Sequence, residues 1–169
     1  MPFHLHNLFA ATALSLLLGG CTPSTPTDSP SPHPSASAHD HDHEHGHTAP
    51  HGGGLTAVGK HAAHLEVCLD PASGTVDLYL LDGEAEKAIR AEPAHPLQLK
   101  LNVPKTLSLT LEPVADPLSS ETETSTSHFR ASSPDLKSQI QLEGTLDEVE
   151  LQGQSYTNLK LVYPGGIPH

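Results

Sequence analysis

Apolar and polar residues alternate over most of the chain beyond residue 60. In the first clear run, Ala62–Leu69, every second residue from Ala63 onward is apolar, and histidine, glutamate and cysteine lie between them. A period of two is typical of a strand with one buried face, whereas an amphipathic helix repeats every 3.6 residues. The pattern predicts strands at Ala62–Leu69, Thr75–Leu81, Leu97–Val103, Leu107–Leu111, Ser127–Ala131, Gln139–Leu142, Leu146–Leu151 and Tyr156–Tyr163.

Turn-forming residues separate these runs. Asp70–Gly74, Asp82-Gly83 and Gln152–Gln154 each place glycine between two apolar stretches, and no segment has the spacing of a long amphipathic helix. Seven to eight short strands predict an all-β domain, a small antiparallel β-sandwich with immunoglobulin-like character. It would occupy residues 51–169, about 120 residues, which is the size of one ordinary domain with one core.

The first twenty residues resemble the signal peptide of bacterial lipoproteins. Leu8–Leu18 is almost entirely apolar, and it is too short to span a membrane but long enough for a signal-peptide core. Leu18-Gly19-Gly20-Cys21 matches the lipobox, although the preceding residues lack lysine and arginine. The resemblance implies cleavage before Cys21 and its acylation, palmitate included. It also implies a lipid anchor in the cell envelope, at the outer membrane facing the periplasm or at the cell surface. Ordinary cleavage that leaves a free Cys21 thiol is the alternative.

The composition of residues 21–50 predicts a disordered tether that ends in a histidine-rich run. Thr22–Ala38 is rich in proline, serine and threonine, which favours extended conformations. Histidines then alternate with acidic residues and glycine, so that in an extended chain the imidazoles would share one side. Imidazole suits Zn²⁺, Ni²⁺ and Cu²⁺. The alternative is a solvated linker that binds metal only incidentally. The candidate ligands in this stretch are His39, His41, His43, His45, His47 and His51.

Further candidate ligands lie on the first predicted strand. His64, Glu66 and Cys68 occupy alternate positions and would share one face. Because such side chains lie about 6–7 Å apart, one ion would be reached by two of them together with His51 or His61. His64 and Glu66 are therefore candidate metal ligands. Cys68 is better interpreted as a half-buried small apolar residue, and a structural role for His51, anchoring the first strand, is an open alternative.

Composition excludes several functions. The net charge is −12 with eight basic residues, which argues against nucleic-acid binding. No zincin, nucleophile-elbow or phosphate-loop motif is present, so the chain is predicted not to be an enzyme. Beyond the signal peptide the cysteines are Cys21 and Cys68, which leaves no disulfide if Cys21 is acylated, and there is no methionine. The lack of thioethers argues against Cu(I) and favours zinc.

One stretch resembles a domain found in bacterial envelope lipoproteins and at the N-terminus of some periplasmic adaptor subunits of heavy-metal efflux pumps. The resemblance rests on Pro50–Leu55 (PHGGGL), His64–Val67 (HLEV) and Leu78–Asp82 (LYLLD). It implies a β-sandwich associated with metal handling and without catalysis. The sequence shows no coiled-coil hairpin or barrel region like that of the adaptors, so we do not expect it to be such an adaptor itself.

Together these patterns predict a membrane-anchored lipoprotein that binds a divalent transition metal, zinc first, with Ni²⁺ or Cu²⁺ as alternatives. It would buffer metal or deliver it to a metal efflux or uptake system. The alternative is a non-enzymatic lipoprotein with a structural or protein-interaction role, in which the histidine run is only a tether.

Overall fold

Eight antiparallel strands make up about half of the computed structural model, which describes residues 47–167. The strands are β1 Gly54–Val58, β2 Ala63–Asp70, β3 Thr75–Asp82, β4 Leu97–Val103, β5 Leu107–Pro113, β6 His128–Ser132, β7 Leu142–Leu151 and β8 Gln154–Tyr163. Two single turns of 3₁₀ helix, Pro117–Ser119 and Pro134–Leu136, complete the regular structure of the described residues. The all-β prediction is confirmed. The signal peptide (1–20), Cys21 and His39 to His45 lie outside the described residues.

The strands form one nearly closed sheet in the order β1-β2-β3-β6-β5-β4-β7-β8. It consists of two four-stranded halves, because β5 and β6 pair through only two residue pairs, Glu112 with Arg130 and Pro113 with Phe129. The halves enclose one core in which Phe129 and most of the strand leucines are fully buried. Within the described residues no helix is long and apolar enough to cross a membrane.

Two strands differ from the sequence-based prediction. β1 was not predicted, because four of its five residues are buried and it therefore shows no polar alternation. β7 is one strand where two were predicted, and Gly144 lies within it. A Cβ at Gly144 would lie 2.7 Å from the Lys100 carbonyl oxygen, so glycine here permits a close approach of β4 beside its register shift.

Both faces of β2 are covered. Its inward residues, among them Leu65 and Val67, belong to the core, while His64 and Glu66 on the outward face are also 0% exposed. The outward face is covered by residues 47–53, which we call the strap. Ala49 of the strap packs on a small apolar cluster formed by Leu55, Leu81 and Ala85.

Candidate metal centre

Three histidines from separate parts of the fold meet on the outer face of the sheet. His47 comes from the strap, His61 from the turn between β1 and β2, and His64 from β2. One ring nitrogen from each lies within 4.8 Å of the others. The ring centroids are 4.7 Å apart for His47 and His64, 5.7 Å for His61 and His64, and 5.9 Å for His47 and His61. These residues are called the three-histidine cluster below.

The backbone explains how two of these residues reach the cluster. His64 lies opposite Ala57 of β1 and Leu81 of β3, so its side chain projects from the middle of three paired strands. His61 adopts a left-handed conformation with φ of 57°, which reverses the chain between β1 and β2. Gly83 lies beneath that turn, since a Cβ on Gly83 would be 2.4 Å from the His61 carbonyl oxygen. The turn is thereby held against the loop that follows β3.

Backbone carbonyls orient two of the three rings. Nδ1 of His64 lies 3.1 Å from the carbonyl oxygen of Asp82, and Nδ1 of His47 lies 3.1 Å from that of Glu84. A carbonyl oxygen only accepts, so each Nδ1 donates, and Nε2 carries the lone pair when the ring is neutral. Metal-binding histidines usually donate their second ring nitrogen to a carbonyl or carboxylate in this way.

The three imidazoles could hold a metal ion. Zinc binds imidazole nitrogen at about 2.0–2.1 Å, which in a tetrahedral site places ligand nitrogens about 3.3 Å apart. The present separations of up to 4.8 Å would close by ring movements of about 1 Å. His61 is exposed and His47 is partly exposed, so these two rings can make that adjustment around the buried His64. The cluster could therefore hold a metal ion through three imidazoles.

His51 and Glu66 form a separate arrangement with each other. Oε1 of Glu66 accepts hydrogen bonds from the backbone N–H groups of His51 and Gly53, both at 2.8 Å. Its Oε2 lies 2.7 Å from Nδ1 of His51. The buried carboxylate is thus hydrogen-bonded by the strap. Of the predicted ligands among the described residues, His47 and His64 come together with His61, whereas His51 and Glu66 pair with each other.

A stack of three rings continues from His51 across the sheet. The His51 ring lies on Tyr79 at 3.7 Å with an interplanar angle of 9°, and Tyr79 lies on His128 at 4.4 Å and 15°. Burial, followed by the charge of Asp77, raises the pKa of Tyr79. The Asp77 carboxylate also accepts hydrogen bonds from His128 and Arg130, both at 2.6 Å. The stack secures the strap to β3 and β6.

Cys68 lies beside this arrangement as a half-buried thiol. Its Sγ is 3.8 Å from Oε1 of Glu66 and 3.9 Å from the His51 carbonyl oxygen. Burial, followed by the negative charges of Glu66 and Asp77, raises the pKa of Cys68 to about 12. The thiol is therefore protonated at neutral pH, which agrees with its interpretation as a small apolar residue.

His61 was named from the sequence only as an alternative partner to His51. Its place in the cluster depends on β1, because the β1–β2 hairpin brings the turn beside β2. The sequence did contain a signal for this arrangement. His61 and His64 lie three residues apart, on either side of the start of a strand, and His61 directly follows the turn-forming residues Gly59-Lys60. That signal is usable only once β1 is recognised as a strand.

Comparison of the chain with protein-family models, with curated proteins and with solved structures finds no match in any of the three. The resemblance to the adaptor-subunit domain accordingly stays a prediction from the sequence.

Proposed function

We propose that this protein binds a divalent transition metal ion, zinc in the first instance, through His47, His61 and His64. The observation that carries this proposal is the orientation of His47 and His64 by the carbonyls of Glu84 and Asp82. Each carbonyl selects the tautomer whose Nε2 lone pair is available to a metal. If His47 and His64 served only to fill the protein interior, there would be no reason for both rings to be fixed in the same tautomer.

The biological role that we propose is metal buffering, or delivery of metal to a transport system. A three-imidazole site with an open fourth position can exchange a ligand with an incoming donor, unlike a closed four-ligand structural site. His39, His41, His43 and His45 would supply such donors immediately upstream. The lipobox around Cys21 supports attachment of the protein to a membrane of the cell envelope, where acyl chains provide stable anchoring.

Zinc titration calorimetry tests the site. The starting protein is the full chain with His39, His41, His43 and His45 replaced by asparagine, so that the upstream run no longer contributes. We expect one zinc ion per chain at neutral pH. Further replacement of His61 by asparagine, which also tolerates the left-handed backbone, should weaken binding at least tenfold by removal of one ligand.

His95→Ala is the matched control, because His95 is exposed and lies just before β4 in the other half of the sheet. It should leave zinc binding unchanged. Equal zinc affinity with and without His61 would place the metal elsewhere. Absence of any zinc binding by this starting protein would overturn the assignment of a zinc site to the three-histidine cluster.

A further inference from the structure

We propose that metal binding at the three-histidine cluster controls whether the strap, residues 47–53, stays docked on the outer face of β2. This inference rests on the proposed function, because it assigns a regulatory consequence to the same site. The strap would have a docked and an undocked state. A metal ion bound by His47 would hold one end of the strap, and we call this attachment the metal tie. The Glu66 carboxylate holds the other end through His51 and Gly53, and we call this attachment the carboxylate latch.

The origin of the ligands carries the first step. His61 and His64 belong to the β1–β2 hairpin, whereas His47 belongs to the strap. An ion shared by the three therefore joins the strap to the sheet. Loss of the ion removes that tie, while the hydrogen bond of His47 to Glu84 and its ring contacts with His64 are weaker than metal coordination.

The second attachment lies two residues further along β2. Three hydrogen bonds from the strap converge on the carboxylate of Glu66, two from His51 and one from Gly53. Glu66 and His64 lie on the same face of β2, at the spacing of about 6–7 Å expected of alternate residues in a strand. The metal tie and the carboxylate latch thus act on the same few residues of chain.

Undocking has a defined physical consequence. Glu66 is 0% exposed, and it would exchange three hydrogen bonds from the strap for water. The same movement would uncover Leu55, Leu81 and the face of Tyr79 on which His51 stacks. The metal-free protein would then expose an apolar surface beside the Glu66 carboxylate, and the metal-bound protein would keep that surface covered. Because coupling is reciprocal, weakening the latch must also weaken metal binding.

Amide hydrogen exchange of the full chain, measured by NMR, tests whether zinc binding stabilises the docked strap. The reporters are the backbone N–H groups of His51 and Gly53, which donate to Glu66. Zinc should slow their exchange by about tenfold, a typical coupling between sites. The effect should persist in His95→Ala and disappear in His47→Ala, although the upstream histidines are still present in both variants. The imidazole resonances of His64 report whether this particular site has bound zinc.

Glu66→Gln tests whether weakening the attachment of the strap to Glu66 also weakens zinc binding. Its matched control is Glu143→Gln, at an exposed position on β7. Zinc affinity, read from the His64 resonances, should fall by about tenfold in Glu66→Gln and stay unchanged in Glu143→Gln. His51→Ala provides a second weakened latch if Glu66→Gln does not fold, since His51 is exposed in the docked strap.

The outcomes separate this inference from the function on which it rests. Zinc that shifts the His64 resonances without slowing exchange at His51 and Gly53 would overturn control of the strap and leave the metal site intact. The same holds if Glu66→Gln and His51→Ala bind zinc as tightly as the unmodified chain. Zinc that leaves the His64 resonances unchanged would overturn both proposals.

Discussion

Nδ1 of His51 lies 2.7 Å from Oε2 of Glu66, although 15 residues separate the two in sequence. The carboxylate is fully buried, and the imidazole ring partly covers it. A buried carboxylate is costly without hydrogen-bond partners. The structure supplies those partners from a segment outside the sheet, so docking of that segment and burial of the charge depend on each other.

Glu66→Ala should lower the free energy of unfolding by about 2 to 4 kcal/mol. It removes the acceptor of the His51 and Gly53 amides and leaves a cavity at a fully buried site. Denaturant unfolding measures this change. Glu143→Ala, at an exposed position on β7, should change the value by less than about 0.5 kcal/mol. Similar stability losses for the two variants would contradict the role assigned to Glu66.

Gly53→Ala should be destabilising because the strap passes very close to β2. A Cβ at this position would lie 2.4 Å from the Val67 carbonyl oxygen and 2.6 Å from Sγ of Cys68. We expect a loss of about 1–3 kcal/mol, as for other overpacked sites. Gly165→Ala is the control, because a Cβ there meets nothing within 4 Å. If thermal unfolding shows Gly53→Ala to be as stable as the control, the close approach of the strap is wrong.

Deprotonation of Cys68 should lower the free energy of unfolding of the protein at alkaline pH. Its pKa is raised from 9.0 to about 12 in the folded protein, through burial and then the charge of Glu66. The unfolded chain therefore loses this proton first as pH rises, and stability falls between about pH 9 and pH 12. Unfolding measured from pH 8 to pH 11 should show a shallower decline in Cys68→Ser than in the unmodified protein.

Alkylation of Cys68 provides an independent check. In a Cys21→Ser background it is the sole cysteine of the chain. Its reaction with iodoacetamide should stay slow up to about pH 10 in the folded protein, because the thiolate is the reactive form. The same chain in denaturant should react as an ordinary thiol. An inflection near pH 9 in the folded protein would refute the raised pKa.

Cys21→Ser should release the protein from membranes. This expectation follows from the lipobox, since serine cannot form the thioether through which a lipoprotein cysteine carries its diacylglyceryl group. Fractionation of cells followed by a carbonate wash measures retention. Cys68→Ser is the matched control and should stay in the membrane fraction. Retention of Cys21→Ser after the wash would exclude lipidation as the anchor.

Alternation predicted the strands well where one face is buried and the other is polar. β3, β4 and β6 lie within a few residues of their predicted bounds. β2 shows how the same rule falls short: its faces were assigned correctly, yet both are buried because the strap covers His64 and Glu66. A polar side chain on an outward face gives no sign that another segment will cover it.

The candidate site was only partly accessible from the sequence for the same reason. His47 and His64 were among the predicted ligands and His61 was named as an alternative partner, but the sequence did not indicate that these three residues meet. The pairing of His51 with Glu66 likewise depends on how the strap crosses β2. Tertiary arrangement, not local pattern, decides which of many histidines meet.

The closure of the sheet has a consequence for crowding. The backbone of β1 is engaged by residues after β8, where the Ile167 amide donates to the Leu55 carbonyl at 2.8 Å. At Gly54 the approach of β8 is so close that no side chain would fit. Exposed strand edges recruit neighbouring chains into aggregates. Copies of this protein concentrated on one surface would therefore find the start of the β1 edge, at Gly54 and Leu55, already covered, which disfavours intermolecular strand pairing there.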